Sequence, residues 1–188
     1  MQTIEKSFIA TYEIKKSKFI AHLVPISEFD GLQEKLKSEN PKANHVIYAL
    51  RYLNEFDQIV ENSSDDGEPK GSSGVPALNV LRGAELVNMA VLIVRYFGGI
   101  KLGIGGLARA YADAVKEVVA VSEIVGYEKA FTYTFETSYS TIQKTEYVLN
   151  KLGILQVDKV FHAGGATWRI TTTQEKLNFF KEQQECMR

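Results

Sequence analysis

The stretch from Val91 to Ala114, VLIVRYFGGIKLGIGGLARAYADA, constrains the fold more than any other. Its apolar, β-branched opening, Val91-Leu92-Ile93-Val94, predicts a buried strand. Arg95-Tyr96-Phe97 then runs straight into glycines, and Gly98, Gly99, Gly103, Gly105 and Gly106 fall within nine residues. A helical pattern follows at once, with Leu107, Tyr111, Ala114, Val115, Val118 and Val119 on one face. Strand, bare loop and helix start leave backbone N–H groups free at the positive end of a helix dipole. An anion site is one reading of this arrangement. A tight connection that needs positive φ and close helix–sheet packing is the other. The stretch lacks the lysine and hydroxyl of G-x-x-x-x-G-K-[ST]. Ala108 stands where the third glycine of G-x-G-x-x-G would fall.

With 188 residues the chain has room for one large domain or two small ones. Its 45% hydrophobic and 24% charged content is that of an ordinary globular protein. The net charge of -1 gives no general attraction to nucleic acid, so RNA binding requires a local basic patch. The one cysteine, Cys186, excludes an internal disulfide and fits a reducing compartment; a cytoplasmic location is expected. Neither a signal peptide nor a membrane-spanning run is visible, and no membrane partner is expected. Cys186 has no motif around it and makes a poor nucleophile.

Along the chain, Phe8–Ile14 and Phe19–Val24 read as a hairpin across Lys15-Lys16-Ser17. Ser27, with Asp30 three residues on, predicts the start of a helix that ends at Asn40-Pro41. His45–Leu53 predicts a strand, paired with Phe56–Val60 across Asn54-Glu55. Glu61–Gly74 is polar and rich in turn formers, and Pro76 suits the first turn of a short helix through Leu81. The long helix after the glycines ends near Ser122, and Gly126 marks a boundary. Beyond it, Ala130–Thr137 predicts a strand and Ser138–Leu152 a helix closed by Gly153. Ile154–Phe161 and Thr167–Thr173 form a hairpin around Gly164-Gly165, and Glu175–Met187 a last helix. Strand, helix, strand, strand, helix is the order of a ferredoxin-like unit. The sequence stops before the fourth strand, so that unit is expected to lack it.

Asp65, Asp66 and Glu68 lie within four residues of loop. Such oxygens suit a hard cation, but a solvated turn bent at Asp66-Gly67 accounts for them as well, and no metal is assigned. Arg95 ends a buried strand, where it can grip a phosphate or carboxylate or pair with Asp66 or Glu68. Of Tyr96 and Phe97 only one can face the core; the other can stack on a base, or is an ordinary packed aromatic, which is the favoured reading. Arg109 can add charge near the loop or pair with Asp113. His45 is a candidate acid or base. Neither His22 nor His162 stands at ligand spacing from it, so zinc is not expected.

Several segments together resemble the YigZ/IMPACT family. They are Ser17-Lys18-Phe19-Ile20-Ala21; Ala43-Asn44-His45 with Tyr48-Ala49; Asp66-Gly67-Glu68-Pro69 with Gly71, Gly74 and Pro76; and Arg95-Tyr96-Phe97-Gly98-Gly99 through Leu102-Gly103-Ile104-Gly105-Gly106-Leu107 to Arg109-Ala110-Tyr111. They fall in the family's order, and Arg95–Tyr111 is the most specific. Gly71-Ser72-Ser73-Gly74 departs from the family's more usual Gly-Thr-Ala-Gly. The resemblance implies an α+β protein of two domains. Residues 1–125 would be an IMPACT-type domain like the second domain of a small-subunit ribosomal protein. Residues 128–188 would be a ferredoxin-like domain like the last domain of elongation factor G. It further implies a translation-associated regulatory or binding protein acting on RNA, the ribosome or a translation factor. Eukaryotic relatives restrain a translation-initiation-factor kinase by competing for its activator. The other reading is a nucleotide- or phosphate-binding enzyme using the glycine loop. No cofactor is expected in either. The binding surface is expected on Lys18, His45, Asp66, Glu68, Arg95, Tyr96, Phe97, Gly98, Gly99, Lys101, Gly103, Gly105, Gly106, Arg109 and Tyr111.

Overall fold

A computed structural model describes residues 1–185, and within it the apolar run at Val91 lies in the middle strand of a five-stranded sheet. In chain order the first unit, Met1–Tyr127, carries β1 (Gln2–Thr3), β2 (Phe8–Ile14), β3 (Ser17–Pro25), α1 (Leu32–Glu39), β4 (His45–Leu53) and β5 (Ile59–Ser64). It continues with α2 (Gly74–Gly83), β6 (Met89–Tyr96), α3 (Ile104–Ala120) and β7 (Val125–Gly126). The sheet order is β2-β3-β6-β4-β5 with every pair antiparallel. A two-stranded β1-β7 ribbon lies apart from it.

Strand β6 is buried on both faces, which is why its sequence is continuously apolar rather than alternating. Helices α2 and α3 cover one face over Phe19, Ala21, Leu23, Ile47, Val91 and Ile93. Helix α1 covers the other through Leu36, over Val46, Leu50, Leu92 and Val94. The face of α3 read from the sequence is the one it buries: Leu107, Tyr111, Ala114, Val115 and Val118.

Several boundaries differ from the sequence reading, and two of them in this unit have a clear local cause. The helix expected from Ser27 is only a 3-10 turn, Ile26–Glu28; α1 starts at Leu32, because Gly31 sits at φ 75° and interrupts it. The partner of β4 begins at Ile59, not Phe56. Asn54 Oδ1 accepts the amides of Phe56 and Gln58, and Asp57 takes φ 58°, so the turn consumes residues 54–58. The strand then runs on into Asn62, Ser63 and Ser64, whose composition predicts loop.

The second unit, from Glu128, carries β8 (Ala130–Thr137), α4 (Ile142–Lys151), β9 (Gln156–His162), β10 (Gly165–Thr173) and α5 (Gln174–Glu185). Its antiparallel sheet has the order β8-β10-β9. Both helices pack on one face around Phe135, Trp168, Ile170 and Phe180; the Trp168 indole N–H donates to Thr137 Oγ1 at 2.8 Å. Thr132, Thr134 and Arg169 face away from that core and are exposed. The predicted last helix reaches Met187; its final residues and Cys186 lie outside the described part. No helix among the described residues is long and apolar enough to cross a membrane. The protein is mixed α+β.

Candidate functional site

The starts of β3, β4 and α3 and the end of β6 meet at one end of the five-stranded sheet. The two-residue Lys15-Lys16 turn of the β2–β3 hairpin has φ 46° and 63°, the left-handed pair that matches strand twist. Gly98 packs against it. A Cβ on Gly98 would stand 2.0 Å from the Lys16 carbonyl carbon, and its amide donates to Ser17 Oγ at 3.1 Å. Across the sheet, Asn44 brackets the end of β6: its amide donates to the Arg95 carbonyl, and its Oδ1 accepts from Phe97 N. Gly98 is therefore a packing glycine, and Ser17 and Asn44 hold the loop's takeoff.

The acidic loop is spoken for group by group. Asp65 accepts the Ser73 hydroxyl at 2.6 Å and the amides of Gly71, Ser73 and Gly74 at 2.7, 3.1 and 2.9 Å. It thereby caps α2 from eight residues upstream. Burial works to raise its pKa, but the Ser73 hydroxyl and then these amides hold the carboxyl below the usual carboxylate range. Asp66 pairs with Lys37 of α1 and accepts Val46 N at 2.7 Å. Its carbonyl receives His45 Nδ1 at 2.7 Å, and a carbonyl only accepts, so Nδ1 carries the proton.

Glu68 goes inward. Its Oε1 pairs with Arg95 Nη1 and accepts the Tyr111 hydroxyl at 2.7 Å. Arg95 and Glu68 are only 6% and 8% exposed, so this is a buried ion pair tied by hydrogen bonds. The Arg95 guanidinium also lies over the rings of Phe19 and Phe97, 5.6 and 5.8 Å from their centroids. Burial first, then the Glu68 charge, push the Tyr111 phenol far above its ordinary value, and it stays a donor. The second Glu68 oxygen accepts no hydrogen bond from the described residues; His45 Nε2 stands 3.9 Å from it. Arg95 Nε is buried with no partner.

Above this pair opens a cleft of about 320 Å³, lined by Asn44, His45, Glu68, Pro69, Arg95, Phe97, Lys101, Leu102, Gly103, Ile104 and Leu107. Helix α3 begins at its wall. Gly103 stands at φ 73°, no side chain caps the helix, and its first internal bond runs from Leu107 N to Gly103 O. A larger groove of about 730 Å³ lies between α2 and α3, but apolar residues such as Val80, Ala108, Ala112 and Val119 make most of its walls. The charged and hydrogen-bonding groups converge on the smaller cleft, which is the candidate site.

Of the residues singled out from the sequence, His45, Glu68, Arg95, Phe97, Lys101 and Gly103 line the cleft. Tyr111 and Asp66 support it from below and beside, and Gly98 fixes its edge. Gly99 takes φ 85° in the loop, and Gly105 and Gly106 form the first turn of α3. Lys18 is exposed beside Tyr96 in register, on the opposite face of the sheet. Tyr96 is not free to stack in the cleft: it packs on the α1 side and donates to Asn40 Oδ1. Arg109 is likewise outside, one helical turn on, where it lines the α2–α3 groove. Ser17 and Asn44 fall within the segments that carry the family resemblance but not among the expected binding residues, because a lone Asn or Ser does not signal a contact across the sheet.

Residues 15–119 match the Impact N-terminal domain. The chain is 32% identical over 157 residues to an IMPACT family member of Haemophilus influenzae, covering 80% of this chain and 75% of the relative. It is 34% identical over 174 residues to IMPACT family member YvyE of Bacillus subtilis, covering 90% and 78%. A solved structure described as the crystal structure of an hypothetical protein superposes with a TM-score of 0.68 at 27% identity, over 97% of this chain and 89% of the other. The match spans the hairpin turn, the acidic loop, the glycine loop and most of α3, and so every residue of the cleft; the chain belongs to the IMPACT family.

Proposed function

We propose that this chain is a translation-associated binding protein that grips RNA through phosphates at the end of the five-stranded sheet. One observation carries the reading. Lys15, Lys16, Lys18, Lys42, Lys70 and Lys101 are exposed on the segments that meet there, and none is ion-paired among the described residues. The acidic loop does not cancel them: Arg95 neutralises Glu68, Lys37 neutralises Asp66, and Asp65 is enclosed by donors. A chain of net charge -1 thus carries exposed lysines without an ion-pair partner among the described residues on both faces of that end of the sheet. Family membership supports the link to translation, through the regulatory role that the resemblance implies for eukaryotic relatives.

The test replaces Lys16, Lys18 and Lys101 together by alanine. Binding to a short single-stranded RNA is then measured at several salt concentrations. The expected result is weaker binding and a slope of log affinity against log salt that shallows by about one unit for each phosphate no longer neutralised. Binding equal to the parent overturns the RNA reading and leaves a translation factor or ribosomal protein as the partner.

A second reading, a phosphate-handling enzyme, draws on His45. Its Nδ1 is tied to the Asp66 carbonyl, which leaves Nε2 as the nitrogen able to take a proton in the cleft. We also read residues 1–125 as a domain like the second domain of a small-subunit ribosomal protein. The part from 128 onward reads as ferredoxin-like, in the manner of the last domain of elongation factor G. The β8-β10-β9 order, with both helices on one face, supports the latter.

A further inference from the structure

We infer that the groove between α2 and α3 docks an acidic amphipathic helix of a partner protein. This goes beyond the RNA reading and uses a different surface of the same unit.

The groove, of about 730 Å³, runs along α2 from Pro76 to Ala84 and along α3 from Ala108 to Ala120. That stretch of α3 rises about 18 Å, the length of a helix of about 12 residues. The walls are mostly apolar. Val75 and Ile104 stand one turn before Asn79 and Ala108, on the same stripes, and are 45% and 66% exposed. Contiguous apolar surface of this kind marks an interaction site.

The walls select the occupant's conformation. Both are helices, and the N–H and C=O groups of a helix interior are paired within it. An extended peptide laid between them finds no strand edge and buries its own backbone groups unpaired. A helix arrives with those groups satisfied and packs by ridges into grooves. No aromatic side chain lines the groove, so a nucleic-acid base has nothing to stack on.

Charge selects the occupant's sequence. The lining carries two cations, Arg109 and Lys116, and no carboxylate. The two stand seven residues apart on α3, two turns along one side of the helix. Asp113, the partner expected for Arg109, pairs with Lys116 instead, and Arg109 has no ion pair or hydrogen bond among the described residues. The Lys116–Asp113 pair is exposed at both ends and holds its lysine weakly. On the α2 side Glu61 is held by Arg51 and Arg82, while Glu85 and Glu117 are exposed outside the lining. A helix with carboxylates flanking its apolar face meets opposite charge at Arg109 and Lys116, and a basic one meets like charge.

The full chain is titrated with two stapled helical peptides of about four turns. One has a leucine and alanine face flanked by glutamates; the other carries lysine at every glutamate position. The readouts are fluorescence anisotropy and the amide NMR shifts of residues 76–84 and 108–120. The glutamate peptide is expected to bind at least about 10-fold tighter than the lysine peptide and to move these amides. Arg109→Glu with Lys116→Glu, both at exposed positions, should reverse that preference. Gly83 lines the groove with no atom within 4 Å of an added Cβ, so Gly83→Leu should obstruct the glutamate peptide and leave the urea midpoint no lower. Equal binding of the two peptides, silence towards both, or binding untouched by these variants overturns the inference. Self-association in sedimentation that Gly83→Leu abolishes assigns the groove to a second copy of the chain and overturns it too. A short single-stranded RNA that moves the groove amides makes the groove part of the RNA surface, again against the inference. RNA binding that leaves these amides unmoved, beside a tight glutamate peptide, bears it out.

Discussion

At the scale of single residues, glycines of one cluster do different jobs, and only their surroundings tell them apart. Gly98 lies against the backbone of Lys16, where an added Cβ would meet the carbonyl carbon at 2.0 Å. Gly105 sits in the first turn of α3 with nothing within 4 Å of that position. Gly98→Ala is therefore expected to destabilise the protein by about 3 kcal/mol or more, since backbone rather than a pliant side chain must give way. Gly105→Ala is expected to be neutral or to stabilise by up to about 1 kcal/mol, the helix-propensity gain of alanine over glycine. Urea denaturation of both variants checks the pair; equal losses would refute the distinction. In the sequence the two stand seven positions apart in one run of glycines, and no local pattern separates them. Arg95 shows the opposite case: its pairing with Glu68 is one of two alternatives readable from a charged residue closing a buried strand. The structure adds that Nε remains unpartnered, which no sequence pattern could disclose.

Among elements, those written in strong periodicity are legible and those fixed by distant groups are not. The β2–β3 hairpin, β6, the buried face of α3 and the order of elements from β8 to α5 all follow from local pattern. The start of α1 and the extent of β5 do not, because Gly31 and the Asn54 turn override the apolar spacing around them. Helix α2 is the clearest instance. Ser73 stands at its N-cap position, yet its side chain makes no cap bond; Asp65 supplies the acceptor instead. Asp65→Asn keeps one acceptor oxygen but turns an NH2 towards a backbone N–H that the carboxylate satisfied, and is expected to cost about 1–3 kcal/mol at neutral pH, the range for leaving a donor unpaired. Its folded-state pKa lies below the ordinary carboxylate value. The stabilisation it gives is thus present above about pH 4 and lost as pH falls through the lower folded value. The difference between parent and variant should shrink towards zero in acid, measured as denaturation midpoints at neutral pH and at about pH 3. A difference that persists undiminished would assign the effect to shape rather than charge.

On the scale of the whole molecule, each unit has a core of its own. The clusters around Phe19 and Ile93 and around Leu36 and Leu92 draw only on residues before 128; the cluster around Trp168 draws only on residues after it. Residues 1–127 expressed alone are expected to unfold cooperatively in urea and to keep the cleft residues' amide dispersion by NMR. A non-cooperative transition would show that the second unit is needed to complete the first. The order β2-β3-β6-β4-β5 carries a consequence for synthesis. The two outer pairs, β2–β3 and β4–β5, are hairpins that close locally as soon as they leave the ribosome, whereas the strand that joins them comes later. Roughly 30 residues separate the end of β5 from the end of β6. At about 5–20 residues per second that is an interval of seconds in which β3 and β4 expose unpaired inner edges. For that interval the nascent chain carries two sticky half-sheets awaiting one strand, and slowed translation between Asp65 and Met89 would lengthen the time in which two neighbouring chains on one message can pair with each other instead.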